Sequence, residues 1–237
     1  SQTYSAGTAF IGRMVVEYAD GTSASIVTDS SWKYGDPFIT YADIIDGETY
    51  DASKEIGGSD SAFSTAAVSD ADWNDWHWQV RLQGELPAQK VWEMDGKILI
   101  DFGQNFAGVI KVNVKAAAGA KLRFRYGEAL DADGALDTQN LRAAKVTDYY
   151  QVGASGEGVY QPRFVFHGFR YAEITGMSID DLTEADIVGL PMYSDLDMTS
   201  SYESSNDMVN QLFSNILWSQ RSNYLSIPTD CPQRDER

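Results

Sequence analysis

This sequence has a single cysteine, two histidines, six prolines and about half as many basic as acidic residues. One cysteine, Cys231, excludes an internal disulfide, and with only His77 and His167 beside it there is no zinc ligand set. The 18 basic residues against 35 acidic ones leave a net charge of -17, which repels a phosphate backbone and excludes nucleic acid as a partner. No apolar run approaches the ~18 residues of a membrane span, and no charged start followed by an apolar stretch marks a signal peptide. The chain reads as soluble, with its compartment open and no membrane partner. Its 237 residues, 43% of them hydrophobic, suffice for proper cores without staples.

What is present is mostly strand pattern. Residues 11–18 and 23–28 are rich in β-branched and aromatic residues and are joined by Ala19-Asp20-Gly21, which predicts a hairpin. Asp46-Gly47, Gly57-Gly58 and the acidic, serine-rich run 69–75 then break the chain at short intervals, as in a β-sandwich, with 57–67 read as loop. Further on, Leu122, Phe124 and Tyr126 alternate with Lys121, Arg123 and Arg125, a period of two. Val112 and Val114 alternate likewise ahead of a turn at Ala118-Gly119-Ala120, and 149–152 and 164–166 add further strands.

The period changes only near the end. Ser204 with Asp207 resembles a helix cap, and Met208, Val209, Leu212, Phe213, Ile216 and Leu217 follow at helical spacing, predicting one amphipathic helix over about 205–222. The expected fold is mainly β: two antiparallel β-sandwich modules, 1–94 (incomplete) and 95–198, then a truncated third part, 199–237, opened by that helix. Ser1 at one end, and Arg237 within a proline-bounded polar loop at the other, lead us to expect a piece of a longer chain.

The last ten residues, Pro228-Thr229-Asp230-Cys231-Pro232-Gln233-Arg234-Asp235-Glu236-Arg237, set three carboxylates and two guanidinium groups on a loop fixed by two prolines. Neighbouring acids raise one another's pKa and arginines lower it, so such a loop can hold a catalytic acid in place; by spacing alone it is more often a solvated salt-bridge loop. A second cluster, Asp46, Glu48 and Asp51 with Tyr41 and Asp43, offers oxygen ligands for Ca2+, and Trp73, Trp76 and Trp78 offer flat faces for sugar rings. The same tryptophans can fill a sandwich core, and Asp46-Gly47 is already explained as a turn. Asp101-Phe102-Gly103 lacks the companion motifs of a kinase and reads as turn chemistry. Cys231 has no histidine near it in sequence, and His167, alternating with apolar residues, reads as a satisfied structural histidine.

The stretch from Asn223 to Arg237 resembles the signature of the bacterial α-L-rhamnosidases, glycoside hydrolase family 78. Three upstream stretches resemble the same family in the same order: Asp46-Gly47-Glu48-Thr49-Tyr50-Asp51, Asp101-Phe102-Gly103-Gln104-Asn105 and Phe166-His167-Gly168-Phe169-Arg170-Tyr171. The resemblance implies hydrolysis of terminal α-L-rhamnose with inversion, by an (α/α)6 barrel preceded by β-sandwich modules, of which only the first helix is expected here. It implies Glu236 as general acid, Asp230 as an acid contacting the sugar, and Arg234 and Asp235 as substrate-lining residues. No cofactor is implied for the hydrolysis, although some members use the N-terminal module as a calcium-assisted rhamnose-binding site, for which Asp46, Glu48 and Asp51 are the candidates here.

The family's Leu-Gly-Trp-Thr-Gly-Asp type continuation is not in this sequence, and its general base lies downstream. The expected function is therefore that of a fragment, inactive alone, acting on rhamnose-containing glycosides or polysaccharides in its parent. The alternative is a non-catalytic, carbohydrate-binding accessory fragment. An uncovered helix face further predicts self-association.

Overall fold

The computed structural model describes residues 11–35, 37–55, 63–65 and 79–234. The chain divides into two compact units, one of residues 1–37 and 56–77, the other of 38–55 and 78–237. In the smaller unit the expected hairpin forms: Arg13–Glu17 pairs antiparallel with Ser23–Val27, and the turn closes through the Asp20 carboxylate, which accepts from the Thr22 N–H at 2.9 Å and its hydroxyl at 2.7 Å. Phe63–Thr65, expected as loop, instead pairs with Lys33–Gly35. The expected break at Gly57-Gly58 and the run 69–75 lie outside the described residues.

The larger unit is built on the strand Lys97–Lys115. Its first part pairs with Lys90–Met94 and with His167–Thr175, and its second with Ile187–Ser194 and Glu157–Tyr160, all antiparallel. The register against His167–Thr175 shifts between Asp101 and Phe106. There the Asp101 carboxylate accepts from the Gly103 N–H at 2.7 Å, the expected turn chemistry placed inside a strand as a bulge. Lys121–Gly127 forms as its alternation predicts: Leu122, Phe124 and Tyr126 are fully buried, while Arg123 and Arg125 reach Glu173 on the neighbouring strand. Phe102, Phe106 and Phe169 meet at centroid distances of 4.5–5.9 Å, and burying each ring contributes about 1.5–3 kcal/mol to this core.

Two expectations change here. Residues 38–55, assigned by sequence to the first module, join the larger unit: Ile39–Asp43 pairs with Gly47–Asp51, which runs parallel to Thr147–Gln151. Gly47 permits this, since at φ 117° a β-carbon there would stand 2.0 Å from the Thr147 carbonyl oxygen. Residues 164–166 are not strand. The N–H groups of Arg163 and Phe164 donate to the buried Glu48 carboxylate at 3.0 and 3.1 Å rather than to a neighbouring strand, so the strand starts only at His167.

The helix spans Asp207–Ser222, but its cap is Asn206, whose side chain accepts from the Met208 N–H at 3.0 Å. Ser204 instead bonds the Asn210 side chain one turn on. The helix is seated by its second half on the eleven-stranded curled sheet of the larger unit. Trp218 packs against the core, Ser222 Oγ accepts from the Ala107 N–H at 3.1 Å, and the Arg221 guanidinium lies 5.4 Å from the Tyr193 ring.

Candidate active site

The helix delivers the chain into the loop singled out by the sequence. Tyr224–Leu225 folds back on Ile227–Pro228, with Ser226 at φ 71° between them and its N–H on Ser194 Oγ at 2.8 Å. The Thr229 N–H then donates to the Asn223 carbonyl at 2.8 Å, and the Arg234 N–H to the Cys231 carbonyl at 3.3 Å, so the loop curls on itself. Asp230 is exposed, with the Cys231 thiol 3.5 Å from its Oδ2. Asp235 and Glu236 lie outside the described residues, as do Trp73, Trp76 and Trp78.

This loop lies against the Phe166–Tyr171 motif. A β-carbon on Gly168 would stand 2.7 Å from the Gln233 nitrogen and 2.9 Å from the Pro232 carbonyl carbon, so the two backbones meet where a side chain is lacking. Beside this contact is a cavity of about 180 Å³, with residues 229–234 on one side and Ile44, Ile45, Val146, Phe166 and His167 on the other. Structure therefore brings His167 to the cavity that Cys231 lines, although the two are far apart in sequence. The His167 Nε2 is engaged elsewhere, 3.1 Å from both oxygens of Asp148.

Asp148 is the residue that sequence reasoning missed. It is fully buried and is also reached by the Tyr126 hydroxyl at 2.7 Å and the Glu48 N–H at 2.8 Å. The available signal was an acid at an inward position of an alternating strand, on the same face as Tyr150. Tyr126 stacks on His167 with centroids 4.4 Å apart, and burial first, then the charge of Asp148, pushes its phenol well above the usual range. This network fixes the histidine that walls the cavity.

The three acids proposed for calcium have separate duties. Asp46 pairs with the Lys145 ammonium, which holds its carboxyl below the usual range, and also accepts from the Tyr41 hydroxyl at 3.3 Å. Glu48 is buried and tethers residues 163–164; burial pushes its carboxyl up, and the two N–H bonds only partly oppose that. Asp51 caps a short 3-10 turn through Ser53. Among the described residues no group of three or more histidine, cysteine or acidic side chains is placed to hold a metal. A second hollow, of about 670 Å³, contains none of the sequence candidates, and two of its acids are engaged, Asp181 with Lys115 and Asp186 with Thr183. Among the described residues no helix is long and apolar enough to cross a membrane.

The two internal motifs are joined across the sheet. The Arg170 guanidinium donates from Nε and one terminal nitrogen to the two oxygens of Asp101, both at 2.8 Å, and holds that carboxyl below its ordinary range.

Comparison with known proteins gives a consistent order along the chain. Residues 1–94 match the family described as alpha-L-rhamnosidase N-terminal domain, 93–193 the bacterial alpha-L-rhamnosidase concanavalin-like domain, and 197–237 the bacterial alpha-L-rhamnosidase 6 hairpin glycosidase domain. The chain is 43% identical to an alpha-L-rhamnosidase of Streptomyces avermitilis, with 97% of this chain and 23% of that protein aligned. It is 35% identical to one of Formosa agariphila, over 95% of this chain and 26% of that protein. The crystal structure of the Streptomyces avermitilis protein complexed with L-rhamnose superposes with a TM-score of 0.87 at 40% identity, covering 95% of this chain and 23% of that one. The alpha-L-rhamnosidase structure from Dictyoglumus thermophilum gives 0.85 at 36%, covering 95% and 27%. The chain thus spans about a quarter of the length of the relatives it matches.

Proposed function

We propose, since this chain belongs to the bacterial α-L-rhamnosidases of glycoside hydrolase family 78, that it supplies the β modules and the first helix and loop of an enzyme removing terminal α-L-rhamnose with inversion. The substrate is a rhamnose-containing glycoside or polysaccharide. The observation that carries this reading is the seating of residues 229–234 on Gly168, which holds the carboxylate-bearing loop at the edge of a cavity and leaves Asp230 exposed. Asp230 accepts hydrogen bonds from sugar hydroxyls, and Arg234 and Asp235 serve as further contacts to the same substrate.

Glu236 protonates the departing glycosidic oxygen. Inversion needs a second carboxylate on the opposite face, about 6.5–9.5 Å away, with a water between, and that base comes from elsewhere in the enzyme. On this reading the chain by itself binds but does not turn over. The test is an assay of the purified chain on an aryl α-L-rhamnoside. No release is expected, and turnover that disappears with Glu236→Gln would overturn the division of the catalytic pair.

A further inference from the structure

We propose that the outward face of the large sheet carries a second binding site, for a carboxylated sugar: Lys97, Arg123 and Arg125 take the carboxylate of a uronic acid unit, and Tyr149 offers its ring beside them. The choice of an anion rests on these charges alone, and the choice of a sugar rests on the rhamnosidase reading.

Alternation puts the residues together. Leu122, Phe124 and Tyr126 are buried in the core, so Arg123 and Arg125 stand on the other face of the same strand. Register sets Arg125 opposite Glu173 on one neighbouring strand and Arg123 opposite Tyr149 on the other, and directly opposed residues share a face. Glu173 is 2% exposed beneath the three cations. Its Oε2 lies 3.2 Å from the Lys97 ammonium, and its Oε1 lies 3.5 and 3.6 Å from one terminal nitrogen of Arg123 and of Arg125. Among the described residues no other acid pairs with these three, so two positive charges are left over on a chain whose net charge is -17.

The cluster is poorly arranged for a purely structural ion pair. Arg170 spends its Nε and a terminal nitrogen on both oxygens of Asp101 at 2.8 Å. Arg123 and Arg125 instead share a single oxygen of Glu173, beyond the ~2.7–2.9 Å of a charge-assisted bond. The other terminal nitrogen of Arg125 donates to the Thr138 hydroxyl oxygen at 3.0 Å, and the Arg123 Nε is closed off from solvent with no acceptor. A buried donor without a partner costs free energy. An Arg123 that turns to an incoming carboxylate exchanges one long bond for a fork, and its side chain, like that of Lys97, is exposed enough to be reached. Tyr149, 45% exposed, gives the C–H face of a pyranose a surface next to that fork. At ~0.15 M salt the Debye length of ~8 Å screens the distant acids of the chain, while the three cations act at contact distance.

The test is calorimetric titration of the chain at ~0.15 M salt with trigalacturonate, its methyl ester and a triglutamate peptide, none of which carries rhamnose. Expected is saturable binding of trigalacturonate, weakened at least about tenfold by esterification and by Arg123→Gln. Arg123→Lys should keep part of it, since the ammonium holds the charge without the fork. Glu173→Gln should tighten binding, because it leaves all three cations to the ligand; weakening in a Glu173→Gln chain that still melts cooperatively would show the cluster to be structural only. No binding at millimolar ligand, equal binding of the ester, or an affinity unmoved by Arg123→Gln would overturn the site. A peptide bound as tightly as trigalacturonate would overturn its assignment to a sugar. Excess L-rhamnose should not compete, and displacement by it would place the ligand at the Asp230 loop instead of the sheet face. The rhamnosidase reading is judged separately, by the aryl rhamnoside assay, and survives each of these failures.

Discussion

Gly168 and Gln233 meet backbone to backbone, so closely that a β-carbon on the glycine would stand 2.7 Å from the Gln233 nitrogen. Gly168 has no positive φ, so Gly168→Ala imposes no backbone strain of its own and acts only through this contact. The loop must yield, because its nearest atoms are backbone rather than a flexible side chain. We expect a loss of about 1–3 kcal/mol, typical of overpacking, together with faster labelling of Cys231 by a thiol reagent. Cys231 is the sole cysteine, which makes that readout unambiguous. Labelling at the parental rate would show that Gly168 does not hold the loop.

Glu48 should give the stability of the chain an unusual pH dependence. Its unfolded carboxyl ionises near 4.5, while burial raises the folded value above that. Between the two, the folded chain holds the extra proton, so stability falls as pH rises through the window and the full penalty persists above it. The groups facing Glu48 are the Asp148 carboxyl, which raises its pKa, and Arg163, which lowers it. Asp101 and Asp46 behave oppositely: their folded values are depressed, and their contribution is lost as pH falls below the unfolded 3.8. The difference in melting temperature between the parent and Glu48→Gln isolates the Glu48 window. It should grow from about pH 4.5 upward in favour of the variant, and a flat difference would show that Glu48 ionises as it does unfolded.

The sequence made local periodicity legible and left sheet partnership hidden. Leu122, Phe124 and Tyr126 declared a strand by alternation alone, and Leu212, Phe213, Ile216 and Leu217 declared a helix. Nothing in residues 38–55 showed that they pair across about a hundred residues with Thr147–Gln151, because register over that distance is set by the core and not by neighbours in the chain. Phe164 looked like strand by composition, yet a side chain from that same distant segment holds its N–H. The stretch 228–237 was legible as a motif, whereas the seating of its residues 232 and 233 depended on an absent side chain at Gly168. Asp46, Glu48 and Asp51 are close in sequence, yet their carboxylates make separate contacts. Glu48 points inward on its strand, Asp51 turns to its own backbone, and Asp46 precedes the strand and faces Lys145.

Arg170→Lys should separate geometry from charge. The guanidinium makes two parallel bonds to Asp101, and an ammonium can supply a charge but not that fork. Both partners are partly exposed, so we expect a loss of about 0.5–1 kcal/mol in urea denaturation, within the range for such pairs. The acid sensitivity attributed to Asp101 should also shrink, since the bonds from Arg170 are the first cause of its lowered pKa. An unchanged acid limb in the lysine variant would assign that effect to the Gly103 N–H instead.

The isolated chain should associate with itself through the exposed face of its helix. Met208, Leu212 and Ile216 are 80%, 57% and 54% exposed, and their spacing puts them on one face of the helix. A contiguous apolar strip of this kind favours contact with another surface over contact with water, and in the purified chain the available surface is a second copy. The net charge of -17 opposes association at low salt, so the effect should strengthen as ionic strength rises and repulsion is screened. Sedimentation velocity across a concentration series should show a rising weight-average mass in the parent and a constant monomer in the Leu212→Glu, Ile216→Glu double variant. Both positions face solvent, so the substitutions leave the core untouched. A parent that stays strictly monomeric at high concentration and high salt would refute the association.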